Sequence, residues 1–199
     1  MSKKRFREER GATLVEASIC YVLLFMALFA VLEFGLAFKD WLTVSHASRE
    51  GARAGATFGN DINADINVLR NVEATMAVNG FRAGDQVRIY QANNPSQPGT
   101  VFSYAPGFDC GTIPSVDPAL PGCCDWSPCP EFGRLTYSAS NPLFLWQPLD
   151  RDVTAPTTDR IGVEVRFTHQ WITRFFASTS DFTTTTEFQL EPQLFEIGS

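Results

Sequence analysis

Histidine is scarce in this chain: His46 and His169 are the only two among 199 residues. No GxSxG-type nucleophile motif accompanies either one, and a lone histidine at a strand end is ordinarily structural, so catalysis finds little support. Basic residues are outnumbered, 16 Lys and Arg against 22 Asp and Glu, and the net charge of -6 argues against a nucleic-acid partner. The glycines of "GARAGATFG" are followed by no GK[ST] and preceded by no strand, which excludes a phosphate-binding loop. The CxxC spacing of a zinc site is missing. These absences point away from an enzyme and imply no cofactor.

Charge is missing altogether from Ala17 to Leu32, "ASICYVLLFMALFAVL", and after Glu33 the apolar run resumes to Phe38. About 20 residues at 1.5 Å each cross a bilayer core. A buried helix of a soluble protein rarely stays apolar on every face for this long. Residues 1–10 hold five basic side chains against Glu8 and Glu9, a local +3 that leaves -9 for the remainder. That basic flank, with "KD" on the far side, orients the N-terminus to the cytoplasm and everything after Phe38 outside.

A cleavable secretory signal needs a short apolar core followed by a small-residue cleavage site, and neither is evident. Gly11, then "ATLV", then Glu16 fits another plan, in which a cut before the apolar run leaves the helix as an anchor. This resembles the processing site of type IV prepilins, where a membrane-embedded peptidase cuts after the glycine. The resemblance implies cleavage between Gly11 and Ala12, a prepilin peptidase as partner, and a new amine on Ala12 one helical turn from Glu16. A carboxylate so deep costs roughly 2.5 to 3.5 kcal/mol to insert, so Glu16 calls for a partner. By the pilin analogy, that partner is the amine of a neighbouring subunit. The plainer alternative is an interfacial acid that snorkels.

Over residues 10–59 the sequence resembles the TadE-like minor pilins (pseudopilins) of the tight-adherence, or Tad/Flp, pilus system. The matching pieces are "RGATLVE", the second acid in "LEFG" at Glu33, and "ASREGARAGA" from Ala47. Ala17 departs from the aromatic that the family often carries after the glutamate. Glu33 lies 17 residues beyond Glu16, roughly 25 Å along a helix, near the opposite membrane face. It is expected either as an interfacial acid in reach of water or as an assembly contact. Gly51, Gly55 and Gly59 repeat every four residues, which puts them on one helical stripe. Each costs about 1 kcal/mol relative to Ala, so close packing against a sheet or a neighbouring subunit is expected there, the alternative being a flexible exit from the anchor.

"DINADINVLRNVEATMAVNG" reads as a second, amphipathic helix, with Asp61 as cap, Ile62, Ile66, Leu69 and Met76 at helical spacing, and Gly80 as its end. Asp61, Asn63 and Asp65 faintly resemble a calcium loop, but the twelfth position is Val72, so no metal is expected. Beyond Phe81 the period becomes two: "QVRIY", "IGVEVRF" with Ile161, Val163, Val165 and Phe167, and "FTTTTEFQL" with Phe182, Phe188 and Leu190. Helices first and strands later indicate an α+β fold, and the resemblance implies a pilin-like one, a long N-terminal helix against an antiparallel sheet.

Residues 105–150 form an irregular insertion with eight of the twelve prolines and four of the five cysteines. In an oxidising compartment Cys110, Cys123, Cys124 and Cys129 are expected to form two disulfides. Pairing Cys123 with Cys124 is strained, so Cys110 joins one of them and Cys129 the other; zinc is the runner-up. Cys20 is expected as a small packing residue of the anchor.

The expected organisation is therefore a basic leader over 1–11, a transmembrane helix over 12–38, a helical exit and second helix over 39–80, and a β-rich extracytoplasmic domain over 81–199. The expected function is a minor pilin-like assembly subunit in the bacterial cytoplasmic membrane, with other pilins and pseudopilins as partners. The alternative is a membrane-anchored extracytoplasmic binding or adhesion module outside a pilus.

Overall fold

The computed structural model describes residues 5–77, 79–94, 96, 98–105, 126–127, 146–174 and 177–192, and of residues 5–12 the backbone alone. The first proline is Pro95, so nothing interrupts helical hydrogen bonding early in the chain. One helix, α1, runs from Arg5 to Phe58. Its 54 residues extend for about 80 Å. Gly59, at φ +53°, ends it by donating its N–H to the Gly55 carbonyl at 3.0 Å, a left-handed cap that glycine adopts without a Cβ penalty. Gly59 is thus the stop of α1 and not a third member of a stripe inside it.

The second helix, α2 (Ala64–Met76), packs back against α1. It starts later than a cap at Asp61 implies: Asn63 is the N-cap, without a side-chain cap bond. Asp61 instead accepts the Asn63 N–H at 2.7 Å, closing the turn between the helices. Ile66, Leu69, Val72 and Met76 are buried, whereas Ile62, before the first turn, is exposed. Gly80, at φ +68°, donates to the Met76 carbonyl and completes the helix exit.

Five strands follow: β1 (Gln86–Gln91), β2 (Thr100–Tyr104), β3 (Trp126–Ser127), β4 (Arg160–Gln170) and β5 (Thr179–Gln189). They form one sheet in the order β3-β2-β1-β4-β5, with every neighbouring pair antiparallel. Alternation fixes the register: Val87 faces Val165 and Ile89 faces Val163 across β1 and β4, all four fully or almost fully buried. The opposite face carries Arg88 paired with Glu164 at 2.6 Å. The C-terminal half of α1 lies against β4 and β5, so the core is a helix layer over a sheet, an α+β architecture.

Of the 105–150 insertion the structure describes residues 105, 126–127 and 146–150. Its described residues include β3 and a 3-10 turn, Pro148–Asp150, and they place Trp126 and Trp146 in the core. Trp126 meets Phe81 and Tyr104 edge-on, with centroids 5.0 and 5.3 Å away. Cys110, Cys123, Cys124 and Cys129 lie outside the described residues, as does the chain from residue 193.

Candidate functional site

From Leu14 to Leu28 the large apolar side chains of α1 stand in the open, and no other described element covers this part of the helix. Leu14, Val22, Leu24, Phe25 and Val31 are all more than half exposed. In water such a surface costs roughly 25 cal/mol for each Å², which gives the helix a strong preference for an apolar surrounding. It is long and apolar enough to cross a membrane. Glu16 sits in this stretch, exposed, with no hydrogen-bond or ion-pair partner among the described residues. Gly11 and Ala12 lie within α1, described by backbone alone.

Glu33 is the first of the described side chains of that helix to be buried, at 3% exposure. What covers it is the turn between β4 and β5: the Thr173 N–H donates to Glu33 Oε1 in a short hydrogen bond. Glu33 Oε2 is buried with no partner among the described residues. The expectation of an acid open to water at the far end of the span is therefore corrected, because sequence spacing gives axial height but not what folds back onto it. Trp171, from the same turn, meets Phe34 edge-on at 5.7 Å and donates its indole N–H to Ser180 at 2.8 Å. A groove of about 390 Å³ separates the turn from the helix, lined by Phe29, Leu32, Leu36 and Ile172 among others.

Further along α1, His169 of β4 lies with Nδ1 2.7 Å from Asp40 Oδ2. The imidazole stacks on Phe182 and meets Trp171 edge-on, so it is locked on three sides. Thr184 donates to the Val44 carbonyl at 3.1 Å, and Thr186 and Ser48 share a hydrogen bond of 3.0 Å. Gly51 and Gly55 lie where α1 passes closest to α2 and β4. A Cβ on Gly51 would stand 2.5 Å from Val72 Cγ2, and one on Gly55 would stand 2.4 Å from Ile161 Cδ1.

Residues 11–53 match the family model of the TadE-like proteins. The TadE-like segment thus contains Gly11, Glu16, Glu33, Asp40 and Gly51, while α2, the sheet and the 105–150 insertion lie beyond it. No curated protein and no solved structure matches the chain.

Several residues that hold the TadE-like segment to the rest of the molecule carried no sequence signal. Asp40 read only as half of a charged flank, and nothing in the sequence singled out Thr173 or Thr184. Arg151 and Asp65 form an ion pair with side chains 0% and 7% exposed, and the Arg151 guanidinium lies 4.6 Å over the Trp146 ring. Asp65 is thereby committed to an arginine. Among the described residues no group of His, Cys, Asp and Glu is placed to hold a metal ion. Cys20 is exposed on the apolar stretch of α1.

Burial pushes the Asp85 carboxyl up from its ordinary value, against the N–H groups of Arg82 and Thr168 that bond to it. The hydrogen bond from Arg166 holds the Asp181 carboxyl below its ordinary value, and that from the Thr154 backbone does the same for Asp152. These groups knit the sheet and its loops, and none of them lines a common cleft with the others.

Proposed function

We propose that this chain is a minor pilin-like, or pseudopilin-like, structural subunit used in assembling a tight-adherence (Flp-type) pilus. The observation that carries this reading is the conjunction of the TadE-like match over residues 11–53 with a long helix whose apolar side chains are largely exposed and whose carboxylate Glu16 has no partner among the described residues. The matched family is a structural, pilus-associated one, which favours a subunit over an enzyme. On this reading residues 1–11 are a basic leader that a prepilin peptidase removes between Gly11 and Ala12. Residues 12–38 anchor the protein in the bacterial cytoplasmic membrane, and residues 39–80 lead through α2 into the extracytoplasmic domain of residues 81–199. The partners are other pilins and pseudopilins of the same system.

Glu16 then has a chemical task. An uncompensated carboxylate in the membrane is costly, and a neighbour's Ala12 amine would neutralise it only when subunits assemble side by side. Gly51 and Gly55 serve inside the subunit, letting α1 approach α2 and β4. In the oxidising exterior the four cysteines of the insertion close two disulfides.

The test is a deletion strain of the source organism complemented with wild type and with Gly11→Leu. Wild type should restore pili, and mass spectrometry should place its mature start at Ala12. Gly11→Leu should accumulate with its leader attached and restore none. Normal pili in the uncomplemented deletion strain would contradict the assignment and favour an anchored binding or adhesion module.

A further inference from the structure

We propose that the β4–β5 turn is a second membrane contact, seated in the outer interface of the bilayer that α1 crosses, with lipid acyl chains filling the groove between Ile172 and α1. The inference rests on the reading of α1 as a membrane span, and goes beyond it by assigning a lipid-binding surface to the folded domain.

Height along the helix comes first. Ala12 and Glu33 are 21 residues apart, about 30 Å along an α-helix, which equals the hydrocarbon thickness of a typical bilayer. When Ala12 sits at the inner boundary, Glu33 and the turn bonded to it sit at the outer one. The turn exposes Ile172 to 73%, as much as any lipid-facing residue of the helix, beside Phe34 at 55% and Phe38 at 60%. Ile172 lines the same groove as Phe29, Leu32 and Leu36, so the apolar surface of the span continues onto the turn without a polar break. That continuity identifies the occupant: the chains that solvate Leu24 and Val31 extend onto Ile172.

The neighbouring residues suit the headgroup zone. Trp171 has its ring against Phe34 and its N–H satisfied by Ser180, an apolar body with a polar edge of the kind that collects at membrane interfaces. From Gln170 to Ser180 the chain has one charged residue, Arg174, in a molecule of net charge -6. Arg174 is exposed and can extend from the turn to lipid phosphates. Two attachments, one through α1 and one through the turn, limit the tilt of the extracytoplasmic domain relative to the membrane surface.

The test places the photoreactive residue p-benzoylphenylalanine at three positions of the full-length protein in vesicles of phosphatidylethanolamine and phosphatidylglycerol. Leu24→p-benzoylphenylalanine reports on the anchor, and Ile172→p-benzoylphenylalanine on the turn. Ile62→p-benzoylphenylalanine reports on an exposed site beyond the far end of α1. After irradiation, mass spectrometry should find lipid adducts at positions 24 and 172 and none at 62. Adducts at 24 without 172, a crosslink from 172 to a second copy of the protein, or equal adducts at 62 would each overturn the proposal. No adduct at 24 would overturn the anchor reading and this inference with it.

Discussion

Asp40 and His169 meet at 2.7 Å although 129 residues separate them, and their contact fastens β4, the strand between β1 and β5, to α1 seven residues after Glu33. Both lie on the side of the junction away from the open span. The bond fixes where the long helix stops being a free rod and becomes part of a packed domain.

Removing either partner leaves the other polar and enclosed, at side-chain exposures of 6% for His169 and 19% for Asp40. Asp40→Ala and His169→Ala should each destabilise the folded domain by about 1–3 kcal/mol, and the double variant by less than their sum. Thermal unfolding of full-length protein in detergent, followed by near-ultraviolet circular dichroism, measures this. Strict additivity would show that the pair is adjacent but uncoupled.

The Asp65–Arg151 pair should matter more. Its guanidinium is fully enclosed, and Arg151 Nε has no partner among the described residues. Asp65→Ala strands that cation and should cost about 3–5 kcal/mol, whereas Asp181→Ala, which breaks an exposed pair with Arg166, should cost far less. Equal losses in denaturant titrations would refute this ranking.

Acid should separate the carboxylates by sign. Asp181 is held below its ordinary value in the folded state, chiefly by the Arg166 hydrogen bond. Its contribution is therefore complete above the unfolded value and disappears as pH falls through the folded one. Asp85 is pushed up by burial, so its contribution is present below the unfolded value and declines as pH rises through the folded one. Unfolding free energies across the acid range should show the stability gap between wild type and Asp181→Asn closing on acidification. A gap that widens instead would reverse the assignment.

The two helix glycines are not equivalent. Alanine at either gains about 1 kcal/mol of helix propensity but must clear its neighbour, and overpacking typically costs about 1–3 kcal/mol. At Gly51 the obstacle is a methyl of the stiff Val72; at Gly55 it is chiefly the terminal carbon of Ile161, which can swing aside. Gly51→Ala should lower the unfolding temperature measurably, and Gly55→Ala should change it little. The opposite order would mean that β4, and not α2, sets the helix spacing.

Much of this architecture was legible in the sequence because it rests on periodicity. The uncharged run from Ala17 to Leu32 forms part of a helix, and the period-two residues Val87, Ile89, Ile161, Val163, Val165 and Phe167 all reach the core. The TadE-like segment was legible from its order of short motifs. What stayed hidden depends on contacts across long separations. No local pattern announces that Thr173 will cap Glu33, that Asp40 will hold His169, or that Trp126 and Trp146 will fill the core from a proline-rich insertion. The start of α2 was misplaced because Asp61 has the chemistry of a cap but uses it to close the preceding turn.

The central claim is that Glu16 serves assembly by charge, and Glu16→Gln in a complemented deletion strain tests it most directly. The amide is cheaper to insert and leaves Gly11 untouched, so membrane level and leader cleavage should match wild type. It keeps hydrogen bonding but loses the attraction to a neighbour's amine, which a low-dielectric surrounding makes strong. Glu33→Gln is the control: its amide oxygen still accepts the Thr173 N–H, so its effect should be smaller. With protein levels matched by immunoblot, pili counted by electron microscopy should fall sharply for Glu16→Gln and remain near wild type for Glu33→Gln. Wild-type piliation from Glu16→Gln at matched levels would contradict the claim and leave Glu16 as an acid that merely reaches the membrane surface.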